Sequence, residues 1–184
     1  MRLEPPAPAH QASYLAAVDE FGPATRDGDG DLEWWDAAGE RHPLTRADLD
    51  DPGIFADFTA YRRRLADPAT PRRPGWVPCT FLWMIDEGGY AGSLAIRHRL
   101  TEFLLREGGH IGYSVRPSAR RRGYATSALR QALPLCAGLG ITRVLVTCDE
   151  DNVSSRRVIE TCGGVYEDSR VGTRRYWIDN AAAS

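Results

Sequence analysis

The spacing of apolar residues divides the chain into helical and extended segments. In residues 54–66, for example, Phe55, Phe58 and Tyr61 recur at the period of one helix face. Other segments are rich in β-branched and aromatic residues, which is typical of strands. Helices are predicted at 8–20, 54–66, 125–139 and 153–162. Strands are predicted at 80–85, 90–97, 111–116, 142–147, 165–168 and 175–178.

Glycine and proline mark the connections between these segments. Residues 23–53 are rich in Gly, Asp and Pro and predict a long loop, in which Trp34 and Trp35 are expected to pin the loop to the core. Two helices, three strands, a helix, a strand, a helix and two strands follow one another. This order predicts an α/β (α+β) fold with a mixed sheet, in a single domain over 1–184. A helical and loop region, 1–75, precedes the main body of the domain, 76–178.

Charge narrows the classes of function. The 184 residues carry a net charge of −2, which argues against a nucleic-acid partner. Every one of the 23 basic residues is Arg, so no lysine is present to form a Schiff base.

The cysteines and the apolar runs point to a cytoplasmic protein. Four widely spaced cysteines form no C-x-x-C or Cys/His cluster, so no metal site is expected and reduced thiols are predicted. No apolar run approaches the roughly 20 residues of a membrane helix. The N-terminal MRLEPPAPAH lacks the layout of a signal peptide.

The segment Arg120-Arg121-Arg122-Gly123-Tyr124-Ala125 has the features of a diphosphate site. It lies between a predicted strand and a predicted helix, where free backbone N–H groups and the helix dipole attract anions. Gly123 lets the anion approach the backbone, and the arginines add charge-assisted donors. The segment contains neither a Walker loop nor a dinucleotide fingerprint.

The Arg-x-x-Gly-x-Ala pattern of residues 120–125 matches the [RQ]-x-x-G-x-[GA] signature of the GNAT superfamily of N-acetyltransferases, which this chain resembles. Val115-Arg116-Pro117 ends the preceding strand, and Asn152 opens a helix after the next strand, as in that superfamily. Residues 76–178 are similar to a bacterial subgroup of predicted acetyltransferases, whereas residues 1–75 match it only in layout.

The resemblance implies a mostly antiparallel central sheet, flanked by helices, that splays between two parallel strands and admits coenzyme A. Acetyl-CoA is then the cosubstrate, bound by 76–178, while 1–75 lies on the acceptor side. Backbone groups of Tyr113 and Val115 would pair with the pantetheine arm. The residues implied to bind the cosubstrate are Tyr113, Ser114, Val115, Arg120, Arg121, Arg122, Gly123, Tyr124, Ala125, Thr126, Asn152, Ser154 and Ser155.

Direct acetyl transfer needs a base for the amine. His110, at the start of the central strand, is the candidate, although a structural histidine at this place is equally expected. His98 is a second candidate with a more structural character. Glu102 and Glu107, in the intervening turn, are alternatives that would meet a cationic substrate.

An acid must also protonate the leaving thiolate. The family's usual Tyr, seven residues after the Asn, is replaced by Ile159. Tyr113, Ser155 or water would substitute, and the sequence does not choose among them. More distant options are Tyr166 and Tyr176, and a covalent route through Cys148 is a minor alternative.

These features predict transfer of an acetyl group from acetyl-CoA to the amine of a small molecule, in a ternary complex. The long loop 23–53 would shape the acceptor pocket. A protein or peptide N-acetyltransferase and a non-catalytic acyl-CoA sensor are the alternatives. The oligomeric state stays open, and homodimers are common in the superfamily.

Overall fold

The computed structural model of the protein describes residues 1–180. Four α-helices are present in these residues: α1 Gln11–Phe21, α2 Pro52–Arg64, α3 Tyr124–Gly138 and α4 Val153–Thr161. The strands are β1 Arg2–Glu4, β2 Glu33–Trp35, β3 Arg41–Pro43, β4 Cys79–Asp86, β5 Gly89–Arg97, β6 Ile111–Val115, β7 Arg143–Asp149, β8 Val165–Arg170 and β9 Thr173–Asp179. Short helical turns cover Pro8–His10, Asp48–Asp50, Leu104–Gly108 and Pro117–Ala119.

Seven strands form one sheet in the order β1-β4-β5-β6-β7-β9-β8. Every neighbouring pair is antiparallel except β6 and β7, which run parallel. These two strands pair only at Ile111 and Val146 and are not paired beyond that point. The predicted fold class is confirmed: a mixed, mostly antiparallel sheet with a splay between two parallel strands, flanked by helices.

The sheet separates two apolar layers. On one face, α3 and α4 pack on a core that includes Leu94, Val146 and Ile159. On the other face, α1 and α2 pack on aromatic residues, where the rings of Tyr14 and Trp83 stack with centroids 4.9 Å apart. The first face therefore carries the Arg120–Ala125 segment at the start of α3, and the second lies under the N-terminal region.

Local signals in the sequence explain where several elements begin. Asp51 caps α2, because its Oδ1 accepts hydrogen bonds from the N–H groups of Gly53 and Ile54 at 2.8 and 2.9 Å. Pro52 then occupies the first helical position, where its missing N–H costs nothing. The predicted β4–β5 hairpin turns at Gly89, whose φ of +93° suits glycine.

The N-terminal region contains more strand than the sequence analysis predicts. Strand β1 pairs with β4, so residues 2–4 belong to the central sheet. Within the predicted loop 23–53, β2 and β3 form a separate two-stranded hairpin. A strand of three residues is too short to show a recognisable sequence pattern. Whether it forms depends on the strand with which it pairs.

The two tryptophans of the hairpin behave differently from each other. Trp35 packs against the cluster around Tyr61 and Phe81, as predicted for a residue that pins the loop. Trp34 is exposed and stacks instead on His42, with ring centroids 4.0 Å apart. The prediction for the Trp pair is therefore correct for Trp35 and wrong for Trp34, since neighbours in a strand face opposite sides.

Two predictions from composition can be compared with the structure. All four cysteines are free thiols, and three of them are buried. Within residues 1–180, no helix combines the length and the apolar character that crossing a bilayer requires.

Candidate active site

The gap between β6 and β7 is the opening around which the predicted site residues lie. At its closed end, the N–H of His110 donates to the carbonyl of Leu145 at 2.7 Å, and Ile111 pairs with Val146. Beyond Ile111, β6 continues to Val115 and β7 continues to Asp149 without pairing to each other. The opening therefore widens toward the carboxyl ends of both strands.

The edge of β6 that faces this gap has free backbone groups. Gly112 and Ser114 are opposite Ala95 and Ser93 of β5. On β5, the N–H of Arg97 donates to His110 and the carbonyl of Ala91 accepts from Arg116, so both residues direct their backbone groups toward β6. Every second residue of a strand has the same backbone orientation, so Ser93 and Ala95 also face β6. Backbone groups alternate in direction along a strand, so those of Tyr113 and Val115 point into the gap, where the Val115 carbonyl already accepts a hydrogen bond from Arg120 at 3.2 Å. An amide-containing chain can therefore pair with β6 as an additional strand.

The start of α3 leaves backbone N–H groups unpaired, which is what the predicted anion-binding loop requires. Gly123 is in the left-handed conformation with φ +77°, and a Cβ built there would meet no atom within 4 Å among the described residues. The first helical hydrogen bond runs from the N–H of Ser127 to the carbonyl of Gly123. The N–H groups of Tyr124, Ala125 and Thr126 therefore have no acceptor within the helix and are available to a phosphate.

The three arginines of this loop are not equivalent. The Arg120 guanidinium turns back and donates to the carbonyl of Val115 at 3.2 Å. Arg122 lies 3.6 Å from the carboxylate of Asp86, which also accepts a hydrogen bond from the hydroxyl of Tyr124 at 2.5 Å. Arg121 is exposed and makes no side-chain hydrogen bond or ion pair within residues 1–180. Arg121 is therefore the guanidinium most accessible to a ligand.

A groove of about 620 Å³ continues from this loop along the outer side of α3. Gly123, Thr126 and Ser127 line its beginning, and Arg130 lies further along it. The groove adjoins the free N–H groups of the helix, so a ligand bound through a diphosphate has room to extend there.

On the other side of the gap, α4 places Asn152 and Ser155 close to β6. The Asn152 Oδ1 caps the helix by accepting from the N–H of Ser155 at 3.0 Å, which leaves its amide NH₂ free to donate. The Ser155 hydroxyl lies 2.7 Å from that of Tyr113. Ser154 is exposed on the first turn of the helix.

The hydroxyl pair Tyr113–Ser155 lies one helical turn before Ile159. Ile159 itself is fully buried in the core, so the position of the family's usual Tyr carries no polar group here. Burial raises the pKa of Tyr113, which therefore keeps its proton over the neutral pH range. The pair is a hydrogen-bond donor that bridges β6 and α4 beside the splay.

Ser114, also predicted to bind the cosubstrate, is held differently. It alternates with Tyr113 and so faces the side of the sheet that carries α1 and α2. Its hydroxyl is buried and has no hydrogen-bond partner within residues 1–180.

The surroundings of His110 argue against its predicted role as the base. Its Nδ1 accepts a hydrogen bond from the N–H of Leu145 at 2.9 Å, and the side chain is 7% exposed. The proton of the neutral ring is then on Nε2, so no free lone pair faces the gap. Burial, followed by the nearby charge of Arg97, lowers the pKa of His110 to about 4. His110 holds β6 and β7 together at the closed end of the splay.

The structure also locates the other candidates for proton transfer and the two glutamates predicted to meet a cationic substrate. His98 hydrogen-bonds to the hydroxyl of Thr80 at 2.8 Å, and burial lowers its pKa. Glu107 pairs with Arg106 on an exposed turn, and Glu102 is exposed. The rings of Tyr166 and Tyr176 contact each other edge to face between β8 and β9, with centroids 5.6 Å apart.

Cys148 ends the buried part of β7. Burial raises the pKa of this thiol, so the reactive thiolate is disfavoured at neutral pH. The environment of Cys148 therefore does not favour the covalent alternative.

The structure also brings to the site a segment that the sequence analysis treats only as part of a loop. A Cβ on Gly28 would overlap the carbonyl of Gly112 and lie 3.0 Å from the Cα of Tyr113. The neighbouring Asp27 is thereby held beside β6, on the face of the sheet that carries α1 and α2. The signal available in the sequence is the repeated Asp-Gly of residues 27–30, which marks a tight turn without locating it.

A splayed sheet with a free strand edge and an anion-binding helix start defines an acyl-CoA-dependent transferase of α/β architecture. In agreement with this class, residues 41–165 match the family model of the acetyltransferase (GNAT) domain. The matched segment is more than half of the chain, so the protein belongs to the GNAT acetyltransferases. The predicted family and the predicted acetyl-CoA-dependent acetyltransferase are confirmed.

Solved structures with the same fold differ widely in sequence. The microcin C7 self-immunity acetyltransferase MccE, in complex with acetyl-CoA and AMP, has 13% identity and a TM-score of 0.60, covering 96% of this chain and 91% of that chain. RimJ of Mycobacterium smegmatis, with a coenzyme A disulfide, has 17% identity and a TM-score of 0.63, covering 96% and 80%. RimL, a ribosomal L7/L12 alpha-N-protein acetyltransferase, has 14% identity and a TM-score of 0.61, covering 98% and 94%. No curated protein matches the sequence.

Proposed function

We propose that this GNAT acetyltransferase transfers the acetyl group of acetyl-CoA to an amine of a small molecule, by direct attack in a ternary complex. The observation that carries the donor half is the free edge of β6 next to the free N–H groups of α3. Tyr113 and Val115 pair with the pantetheine amides, and residues 121–126 bind the diphosphate. Asn152 donates to the pantetheine from the opposite side of the gap.

The hydroxyl pair Tyr113–Ser155 donates a hydrogen bond and a proton to the leaving sulfur. It lies between the strand that pairs with pantetheine and the helix that Asn152 caps. A hydroxyl that stays protonated stabilises the developing thiolate with a hydrogen bond and relays a proton to it. This assignment replaces the Tyr that the family carries at the position of Ile159.

The acceptor half is supported by how the N-terminal region covers the sheet. Gly28 contacts the backbone of β6 at Gly112, and Arg97 covers the same glycine from β5. An extended polypeptide has no room to lie across this part of β6, whereas a single amine can reach the gap beside it. These contacts favour a small acceptor over a peptide that binds along the strand.

A protein N-terminus is the second candidate acceptor. Phe103 and Leu105 are exposed on the turn that adjoins β7 and β9, and such side chains can contact a polypeptide. RimL, which has the same fold, is described as an alpha-N-protein acetyltransferase.

The test is release of free coenzyme A thiol from acetyl-CoA in the presence of an amine panel. The panel contains free amino acids, a polyamine, an aminoglycoside and short peptides with free N-termini. Acetyl-CoA binding is measured in parallel by calorimetry. Gly123→Asp tests the donor site, and Gly140→Asp is the matched control, because Gly140 has a similar φ of +76° beyond the other end of α3.

Turnover with a small amine supports the proposal, and turnover with peptides alone assigns the protein-acceptor alternative. Acetyl-CoA binding without turnover of any amine would indicate the non-catalytic sensor. Absence of acetyl-CoA binding, or equal binding by both glycine variants, would overturn the donor site.

A further inference from the structure

We propose that Asp27 is the residue that binds the acceptor amine and takes its proton. This inference rests on the proposed amine acetylation and adds a catalytic residue to it. Asp27 belongs to the N-terminal loop, far in sequence from the strands that form the splay.

A buried carboxylate anchors the segment that carries Asp27. Asp29 is 2% exposed, and its two oxygens accept from the hydroxyls of Tyr14 and Ser93, each at 2.9 Å. Arg26 lies 3.3 Å from the same carboxylate. Hydrogen bonds to two different elements hold the loop firmly, so Asp27 has a defined position rather than a range of positions.

Two glycines without side chains allow the segment around Asp27 to approach β6 closely. Gly28 has φ +80° and lies against the carbonyl of Gly112. A Cβ on Gly112 would lie 3.2 Å from both the Gly28 nitrogen and the Arg97 guanidinium. Asp27 therefore lies beside the last paired residue of β6, where the gap begins.

Three charged or titratable groups act electrostatically on Asp27 or respond to its charge. They are Arg97 on β5, Tyr113 on β6 and Asp149 at the end of β7. The side chain is open to solvent, yet it makes no hydrogen bond and no ion pair with any other residue in 1–180. Arg97 is itself engaged with the carbonyl of Gly108 at 2.6 Å. Asp27 is thus an accessible carboxylate that is free to bind a cationic group of a ligand.

The environment also tunes this carboxylate toward accepting a proton. Although Asp27 is exposed, the protein packed beside it partly desolvates the carboxylate and raises its pKa; the Arg97 charge lowers this pKa, and the Asp149 charge raises it again. The net direction is upward, which makes Asp27 a better base than an ordinary aspartate. The same negative charge contributes to the raised pKa of Tyr113. A Cβ on Gly28 would lie 3.0 Å from the Cα of Tyr113, so the segment that carries Asp27 lies next to the residue that carries the proton donor.

The chemistry balances with these two groups. An ammonium gives one proton to Asp27, and the free amine nitrogen forms a bond to the thioester carbon. Collapse of the tetrahedral adduct breaks the C–S bond, and the sulfur takes a proton from the Tyr113–Ser155 pair. The nitrogen loses a second proton, which returns through solvent to the Tyr113–Ser155 pair. The proton held by Asp27 is released to water. The products are the acetamide, the coenzyme A thiol and one released proton.

The experiment compares Asp27→Asn with Asp57→Asn, using the best amine of the panel above. Asp57 is an exposed aspartate of α2 without a side-chain partner within residues 1–180, so its variant controls for loss of one negative charge. We expect D27N to lower kcat by about 100-fold at pH 7, with unchanged acetyl-CoA affinity. The loss should shrink for an amine that is already neutral at the assay pH, and Asp27→Glu should recover part of the rate.

Each outcome decides the inference. If D27N and D57N turn over equally and share one pH profile, Asp27 is not the base. If D27N loses acetyl-CoA affinity together with turnover, Asp27 belongs to the donor site and the inference is wrong. If the wild-type protein acetylates no amine at all, the proposed function fails first and this inference fails with it.

Discussion

Replacing His110 by Asn should remove one titration from the folding equilibrium while leaving the catalytic reaction largely intact. The Asn Oδ1 occupies nearly the position of the His Nδ1, so it can still accept the hydrogen bond from Leu145. Asn does not titrate. The variant therefore separates the hydrogen bond at the closed end of the splay from the charge of the imidazole.

The magnitude follows from the difference between folded and unfolded pKa. The pKa of His110 falls from 6.5 to about 4 in the folded protein. Between these values the unfolded chain binds one more proton than the folded one, so the free energy of unfolding rises with pH. Over the interval from pH 5 to pH 7 the rise is about 2 kcal/mol, at about 1.4 kcal/mol for each pKa unit traversed.

The assay is urea unfolding of the wild type and His110→Asn at several pH values from 5 to 7. Carboxylates and His98 titrate in both proteins, so the difference between the two curves isolates His110. We expect the gap between the two free energies of unfolding to change by about 2 kcal/mol over this interval. The Asn variant should lose less stability on acidification than the wild type.

Parallel curves for the two proteins would refute the assignment of a buried, neutral His110. Enzyme kinetics give an independent check, because a base at position 110 would make the Asn variant nearly inactive. We expect kcat to change by less than about 10-fold, in contrast to the 10²–10⁴ that a general base contributes. A larger loss with intact folding would restore His110 as the base.

The remaining predictions concern the donor site and the loop on β6. Gly123→Asp should weaken acetyl-CoA binding by about 100-fold or more, because it adds a negative charge beside the diphosphate, while Gly140→Asp should leave the calorimetric affinity unchanged. Tyr113→Phe should lower kcat by about 100-fold with little change in acetyl-CoA affinity, and equal rates would exclude the hydroxyl as proton donor. Gly28→Ala should cost about 1–3 kcal/mol in the free energy of unfolding and reduce turnover, because it forces a side chain into the Gly112 carbonyl at positive φ. Unchanged stability in this last variant would contradict the close approach of the loop to β6.

The sequence signals for the donor half of the site are local. The glycine at 123, the arginines around it and the helix that follows lie within a few consecutive residues. The N–H groups of a helix start point at the same place whatever the rest of the fold, so this element can be recognised without knowing its neighbours. The α3 start differs from the prediction by one residue, at Tyr124 instead of Ala125.

Prediction is weaker where the strands are short or the pattern is uninformative. Strand β1 and the β2–β3 hairpin have three residues in each strand, and pairing with β4 or with each other determines them. His110 has the residue type and the place expected of a base. Its Nδ1, however, accepts a hydrogen bond from the N–H of Leu145 on β7, 35 residues away in the sequence. No pattern along the chain reveals that contact.

The sequence alone therefore determined the family and the order of the main elements, and it predicts the anion-binding loop, since each depends on contiguous residues. The tertiary structure decided which side chains meet at the splay. Tyr113 and Ser155 are 42 residues apart, and the Asp27–Gly28 segment reaches Gly112 from the N-terminal region of the chain. Catalytic geometry depends on distances between such remote segments, and those distances exist only once the sheet and its two helical layers have packed.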